Sequence, residues 1–115
     1  MVEMYGIPNC DTIKKARKWL EAEGIDYRFH DYKKEGADAS LLTQWCKSQG
    51  WETLLNRRGT TWRKLPEADK ADVDETKAIA LMVENPSMIK RPVLITDVGV
   101  TIGFSVDVYQ ELFAS

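Results

Sequence analysis

A change of hydrophobic period within the first 32 residues constrains the fold of this chain more than any other feature. Val2–Tyr5 alternates apolar and polar residues, as a short strand does, and runs into the loop Gly6-Ile7-Pro8-Asn9. Over Asp11–Gly24 the apolar residues recur at helical spacing, and a period of two returns over Tyr27–Tyr32. A strand, a helix and a strand form a βαβ unit, whose strands must be parallel and joined by a right-handed crossover.

The middle of the chain carries helical signals instead of strand signals. No convincing strand is predicted over about residues 38–86, whereas apolar spacing predicts helices over Ala39–Gln49 and Asp74–Glu84. Asp72 and Glu75 have the spacing of a capping box for the second of these helices. We therefore predict a helical insertion that packs on the sheet, because no flexible linker separates this segment from its neighbours.

The last third of the chain predicts a hairpin followed by a helix. An apolar strand over Pro92–Ile95 meets a turn at Asp97–Gly99, and a second strand returns over Val100–Phe104. Ser105 is a natural N-cap for the final helix. The predicted fold class is therefore α/β, with the order βαβ, helices, ββα. We expect a four-stranded mixed sheet, with the helical insertion between strands 2 and 3, in one domain spanning residues 1–115.

Composition excludes several classes of protein. Of the 115 residues, 43% are hydrophobic and 30% are charged, which argues against disordered, collagen-like and coiled-coil chains. The net charge of −2 leaves no electrostatic footprint for nucleic acid or for an anionic membrane. The sequence has no apolar run of membrane-spanning length and no signal-peptide pattern at its start, so we expect a cytoplasmic protein. Two cysteines and one histidine are too few for a closed zinc site, so we expect no metal.

Cys10 is the first candidate for chemistry. It lies where the loop after the first strand meets the first helix, and a helix N-terminus offers unpaired amides and roughly half a positive charge. Both stabilise the nucleophilic thiolate, and such sites lower a cysteine pKa from about 8.5 to between roughly 3.5 and 7.5. Asp11 places a like charge next to the thiolate and opposes this effect. The alternative is that Cys10 is a small buried residue at a tight turn.

The second cysteine has a different setting. Cys46 shares an apolar helical stripe with Leu42 and Trp45, which predicts a core residue. Ile13 stands where the second thiol of a Cys-x-x-Cys pair would be, so the two-thiol redox cycle is excluded. A covalent intermediate on Cys10 would need a resolving thiol from Cys46 or from outside the chain. An external small thiol such as glutathione is the simpler source.

Three other features carry weaker signals. Arg91 precedes Pro92, which favours an extended backbone and allows a cis peptide bond, and would present a cation suited to an oxyanion or carboxylate. The alternative is a surface arginine beside a strand. His30 has no metal or triad partner at a recognisable spacing and is predicted to be a satisfied residue of the sheet. The basic and aromatic stretch Asn56–Lys64 is more typical of a solvated face, although it could also line an anion pocket.

Three segments of the chain form a recognisable set: Tyr5–Thr12 followed by Lys14-Lys15-Ala16, then Leu54-Leu55-Asn56, and then Ile89–Leu94. Together they resemble the ArsC/Spx family of thioredoxin-fold proteins, and most closely its YffB branch. The resemblance covers essentially the whole chain. It implies a thioredoxin-like fold that carries a helical insertion.

The resemblance also implies roles for individual residues. Cys10 resembles the family's nucleophilic cysteine, Arg91 its anion-binding arginine, and Pro92 the cis-proline that thioredoxin-like folds place beside the thiol. We therefore predict Cys10 as the catalytic residue. The predicted substrate- and anion-binding residues are Arg91, Asn9, Asp11, Thr12 and Pro92.

Three functions follow from the resemblance. The leading hypothesis is a glutathione-dependent thiol reductase with glutathione as co-substrate, a small thiol or disulfide as substrate and no tightly bound cofactor. The first alternative is an arsenate reductase, but two further arginines of such enzymes are replaced near Glu52 and Gly103. Arg57 or Arg58 could substitute for the first of them. The second alternative is a non-catalytic regulator that binds RNA polymerase, although Ile13 removes the Cys-x-x-Cys switch usual in such regulators.

Overall fold

The amino-terminal elements form where the hydrophobic period changes. In the computed structural model, which describes residues 2–114 apart from the Lys33 side chain, β1 is Val2–Gly6 and α1 is Asp11–Ala22. The β2 strand, Tyr27–Asp31, pairs with β1 in parallel, as predicted. The predicted strand ran on to Tyr32, but this residue instead begins a short helix, α2 (Tyr32–Glu35). The Tyr32 side chain is buried, at 3% exposed. A period-two pattern cannot distinguish a buried residue at the start of a helix from a residue on the buried face of a strand.

The segment Tyr32–Lys90 forms a compact unit that lies between two strands in the sequence, and it is wider than the predicted range of 38–86. Its longest helix, Ala39–Gln49, packs against the helices Trp51–Leu54 and Glu75–Glu84. The helices after α2 are α3 (Ala39–Gln49), α4 (Trp51–Leu54), α5 (Thr60–Arg63), α6 (Glu67–Lys70), α7 (Glu75–Glu84) and a 3-10 turn at Pro86–Met88.

The predicted capping box of α7 is wrong. The N-cap is Asp74, whose side chain accepts a hydrogen bond of 2.9 Å from the Lys77 amide. Asp72 instead lies in the left-handed region, with a φ of 51°. The N-cap side chain accepts a hydrogen bond from an amide in the first helical turn. The spacing of Asp72 and Glu75 satisfied the capping-box pattern, but the helix begins at Glu75 and Asp74 is therefore its cap.

The other compact unit contains the residues up to Asp31 and those from Arg91 onward. Here β3 (Val93–Thr96) is antiparallel to β1, and β4 (Gly99–Ile102) is antiparallel to β3. The strand order is β2-β1-β3-β4, which confirms the predicted four-stranded mixed sheet. The last helix, α8 (Val106–Phe113), follows the predicted cap, since the Ser105 hydroxyl oxygen accepts a hydrogen bond of 3.3 Å from the Val108 amide.

The core of this unit lies between one face of the sheet and the two long helices. Helix α1 buries Ile13, Ala16 and Leu20 completely, at the spacing that its sequence predicted. They pack with Met4 and Leu94 of the central strands and with Tyr109 of α8, all fully buried. On this last helix Tyr109 faces the core, whereas Val108 is 45% exposed.

Gly6 allows α1 to approach the end of β1 closely. A Cβ atom at this position would overlap Cδ1 of Ile13. Ile13 lies in the first turn of α1, so the missing side chain at Gly6 brings this turn against the end of the strand.

The single domain predicted from the sequence stays a prediction. Over residues 2–114, no helix combines the length and the apolar character that crossing a membrane requires.

Candidate active site

Cys10 is the N-cap residue of α1. Its backbone is extended, with φ −83° and ψ 131°, and its carbonyl oxygen accepts a hydrogen bond of 3.0 Å from the Lys14 amide. Its own amide donates to the carbonyl oxygen of Ile7 at 3.1 Å, which closes the loop after β1. The side chain is half-buried. The thiol therefore stands at the positive end of the helix, as the sequence predicted.

The surroundings of Cys10 stabilise its thiolate. Burial by itself would raise the pKa of this thiol, but the backbone amide of Ile13, the Arg91 guanidinium and the backbone amide of Thr12 lower it. The positive charge of Arg91 acts in the same direction. Together these donors outweigh the cost of burial, and the pKa of Cys10 is lowered. The question that the sequence left open, between Asp11 and the helix terminus, is thus settled in favour of the thiolate.

Arg91 reaches the thiol because of strand order. The strands β1 and β3 are antiparallel neighbours with Tyr5 opposite Val93, so the end of β1 adjoins the start of β3. Arg91 immediately precedes that start, and its peptide bond to Pro92 is cis, as predicted. The carbonyl oxygen of Pro92 accepts a hydrogen bond of 2.8 Å from the Gly103 amide, which ties this turn to the end of β4.

The other predicted binding residues surround the same loop. Asn9 and Asp11 expose their side chains on either side of Cys10, and Thr12 is exposed as well. Thr12 contributes through its backbone amide rather than its hydroxyl group. The binding roles assigned to these residues and to Pro92 stay predictions.

Sequence reasoning missed the most important amide donor. Ile13 was interpreted as a core residue and as the position of a missing second thiol. Its side chain is indeed in the core, while its backbone amide lowers the pKa of the Cys10 thiol. The signal was available, because the third residue after an N-cap commonly donates its amide to the capping side chain.

Cys46 and His30, which the sequence analysis also considered, have surroundings typical of structural residues. Cys46 is 3% exposed, and burial together with the negative charge of Glu75 raises the pKa of its thiol. His30 stacks on Tyr5 with ring centroids 4.2 Å apart, and its Nε2 lies 2.9 Å from a Glu3 carboxylate oxygen. The prediction that His30 is a satisfied sheet residue is confirmed. Within the part of the chain that the structure describes, no cluster of three or more His, Cys, Asp and Glu side chains is suited to a metal ion.

The fold and the site together define the class of protein. A parallel βαβ unit, an antiparallel hairpin with a closing helix, a thiol at the first helix N-terminus and a cis-proline before β3 define a thioredoxin-like fold with a single-cysteine site. The model of the ArsC family matches residues 5–112. The chain belongs to this family, and the resemblance seen in its sequence is confirmed.

Individual relatives agree with the family assignment. The solved structure of a protein named YffB is 54% identical, with a TM-score of 0.97, over 99% of this chain and 100% of that chain. An arsenate reductase (ArsC) related protein from Brucella melitensis is 55% identical, with a TM-score of 0.77, over 99% of this chain and 95% of that chain. A global transcriptional regulator Spx from Streptococcus pyogenes is 27% identical over 93% of this chain and 81% of the regulator.

Proposed function

We propose that this protein is a glutathione-dependent thiol reductase that acts on small disulfides and mixed disulfides through Cys10. The observation that carries the proposal is the lowered pKa of the Cys10 thiol at the N-terminus of α1, where two backbone amides and the Arg91 guanidinium outweigh the effect of burial. A thiolate is the attacking species in thiol–disulfide exchange, so a thiol with a lowered pKa reacts faster near neutral pH. Family membership supports the same type of chemistry.

The proposed reaction has two balanced steps. In the first, the Cys10 thiolate attacks the glutathione sulfur of a mixed disulfide, the substrate sulfur leaves as a thiolate, and Cys10 becomes glutathionylated. In the second, the thiolate of another glutathione attacks the glutathione sulfur bound to Cys10. Glutathione disulfide forms and the Cys10 thiolate is released. In sum, one mixed disulfide and one glutathione give the substrate thiol and one glutathione disulfide: the substrate sulfur is reduced to the thiol level, the sulfur of the incoming glutathione is oxidised to the disulfide level, and the proton of that glutathione passes to the substrate thiolate.

The resolving thiol is proposed to come from glutathione because the chain offers no ready alternative. Ile13 occupies the position of a vicinal second thiol, and Cys46 is buried with a raised pKa. The guanidinium of Arg91 would hold a carboxylate of the incoming glutathione or stabilise the leaving thiolate. We place the reaction in the cytoplasm, where glutathione is abundant and keeps thiols reduced.

The test is turnover with the mixed disulfide of cysteine and glutathione, with glutathione as reductant, followed as glutathione disulfide. We expect activity from the natural chain and from Cys46→Ala, but none above the uncatalysed rate from Cys10→Ser. An active Cys10→Ser variant would overturn the assignment of the nucleophile. An inactive Cys46→Ala variant that folds normally would identify Cys46 as the resolving thiol in place of glutathione.

Arsenate reduction is the second candidate, and the relative from Brucella melitensis, which is described as an arsenate reductase (ArsC) related protein, favours it. In that reaction the Cys10 thiolate would bond to arsenic and displace one oxygen as water, two glutathione molecules would reduce the arsenic from +5 to +3 and leave as one disulfide, and arsenite and the Cys10 thiolate would be released. Among the described residues, Arg91 is the one cation that lowers the pKa of Cys10, and a single cation is a poor match for a multiply charged oxyanion. Turnover of arsenate with glutathione tests it directly, and a rate exceeding that with mixed disulfides would reverse the order of the two proposals.

Binding to RNA polymerase is the third candidate, and the Spx relative favours it. The helical unit Tyr32–Lys90 would then carry the binding surface. A pull-down of purified RNA polymerase by the natural chain, combined with a Cys10 thiol that reacts no faster than free cysteine, would support this candidate. Failure to retain the polymerase would remove it.

A further inference from the structure

A basic cleft lies within the helical unit Tyr32–Lys90, and the proposed reduction of disulfides at Cys10 does not use it. It encloses about 310 Å³ and is lined by Glu52, Leu55, Asn56, Arg57, Arg58 and Lys90. Three of these six residues are cations and one is an anion, so the lining carries a formal charge of 3 − 1, or +2. A cleft of one sign with low-dielectric walls concentrates the opposite charge.

The backbone around this cleft is held firmly by hydrogen bonds. Leu55 forms an antiparallel bridge with Ile89, and both residues are essentially buried. On one side of the bridge the Asn56 amide donates to the carbonyl oxygen of Met88 at 2.7 Å. On the other side the Lys90 amide donates to Leu54 at 2.8 Å. This pairing fixes residue 56 and residue 90 on one frame, although they are far apart in sequence.

The two arginines are positioned by their neighbours. The Arg58 amide donates to the Asn56 side-chain oxygen at 3.0 Å, which sets the turn that carries both guanidinium groups. The Arg57 guanidinium lies over the Trp51 ring, 5.7 Å from its centroid. It is 4.0 Å from a Glu52 carboxylate oxygen, at the limit of an ion pair, and both side chains are largely exposed. Such a pair is weak, and a ligand of higher charge can displace it.

We propose that this cleft binds a dianionic oxyanion, namely a phosphate group, free or carried by a small molecule. A formal charge of +2 matches a dianion, and guanidinium groups present paired donors that fit phosphate oxygens. Lys90 adds a cation of compact shape on the opposite strand of the bridge. Every residue that lines the cleft belongs to the unit Tyr32–Lys90, whereas Cys10 belongs to the other unit.

The experiment is a titration of the full-length, isotope-labelled chain with sodium phosphate at constant ionic strength, followed by the shifts of backbone amide resonances. We expect saturable shifts at residues 56–59 and 90, with unchanged binding in the Cys10→Ser variant. Glycerol phosphate, titrated in parallel, separates the two sources. Equal affinity indicates the free anion, and tighter binding indicates a phosphate carried by a larger ligand. Absence of saturation, shifts confined to Cys10–Ile13, or equal binding of acetate would each overturn the proposal.

Two substitutions that change the charge of the cleft in opposite directions test the proposal further. Arg58→Gln should weaken phosphate binding by about tenfold, since it removes a charge-assisted hydrogen bond. Glu52→Gln removes the only carboxylate of the lining and should tighten binding by about two- to fivefold. Arg63→Gln is the matched control, because it changes the same charge at an exposed position outside the cleft. A loss of affinity in Arg63→Gln equal to that in Arg58→Gln, or no gain in Glu52→Gln, would contradict the site.

Discussion

The two cysteines of this chain are the same side chain in opposite environments. Cys10 is the N-cap of α1 and is half-buried, and the nearby backbone amides and the Arg91 guanidinium lower the pKa of its thiol. Cys46 lies near the C-terminal end of α3, 3% exposed, and its carbonyl oxygen accepts the Gly50 amide at 2.7 Å. The negative end of a helix opposes a thiolate, and burial opposes it further. The pKa is therefore lowered at Cys10 and raised at Cys46.

The comparison of the two cysteines shows which factor decides whether the pKa of a thiol is lowered or raised. Both thiols lose hydration on folding, and at both sites the loss raises the pKa. The difference lies in what replaces the water. Donors that point at the sulfur compensate for desolvation at Cys10, while Cys46 faces apolar neighbours and the charge of Glu75. Reactivity is thus a property of the donors and not of exposure by itself.

The largest expected effect comes from removing each thiol in turn. Cys10→Ser should lower mixed-disulfide turnover by about 1,000-fold or more, because a hydroxyl group cannot replace the thiolate nucleophile. Cys46→Ala should retain turnover within about twofold, its main effect being a loss of packing in the core. Initial rates for both variants at equal protein concentration check this. Equal losses in the two variants would end the functional contrast between the cysteines.

The next prediction concerns the close approach of Gly6 to the side chain of Ile13. Gly6→Ala should lower the free energy of unfolding by about 1–3 kcal/mol, because the new methyl group would overlap Cδ1 of Ile13. Ile13→Val lacks that carbon, so the double variant should recover part of the loss. Urea unfolding of the two single variants and the double variant measures the coupling between the two positions. Strict additivity of the two changes would contradict the close approach.

A third prediction concerns the cation at Cys10. Arg91→Gln removes both a hydrogen bond and a positive charge from the thiolate, so the pKa of Cys10 should rise. At a pH below that pKa, each unit of rise should slow alkylation by about tenfold. Peptide mapping after alkylation over a range of pH resolves Cys10 from Cys46. Arg28→Gln, at an exposed position on β2, is the control for the charge change and should leave the midpoint unchanged.

The smallest expected effect is a pair of opposite stability trends with pH. The folded pKa of Cys10 lies below its ordinary value of 9.0, so ionisation of this thiol stabilises the fold above that value, and the contribution is lost as pH falls through the folded pKa. The folded pKa of Cys46 lies above 9.0, so its contribution is full below 9.0 and is lost as pH rises through the folded pKa.

Unfolding of the natural chain, Cys10→Ser and Cys46→Ala between pH 6 and pH 10 separates the two trends. The stability difference between the natural chain and Cys10→Ser should grow with pH. That between the natural chain and Cys46→Ala should shrink above 9.0. Differences that move in the same direction would show that the two environments are alike.

Local sequence rules predicted much of the fold. The change of period located β1, α1 and β2, and Ser105 was identified correctly as the cap of the last helix. The errors fell where the local sequence was compatible with two different structures. Asp74 and Asp72 both resemble a cap, and Tyr32 fits the buried face of a strand as well as the start of a helix. Only packing against distant residues distinguishes such alternatives.

The sequence by itself determined that a thiol would stand at a helix N-terminus, because the loop, the cap position and the helical period are all local. The tertiary structure decided that Arg91 would join it. Antiparallel pairing of β1 with β3 brings the end of one strand beside the start of the other, and no local pattern specifies that neighbour. The pKa of Cys10 depends on both contributions, since backbone amides follow from the helix and the cation follows from the sheet.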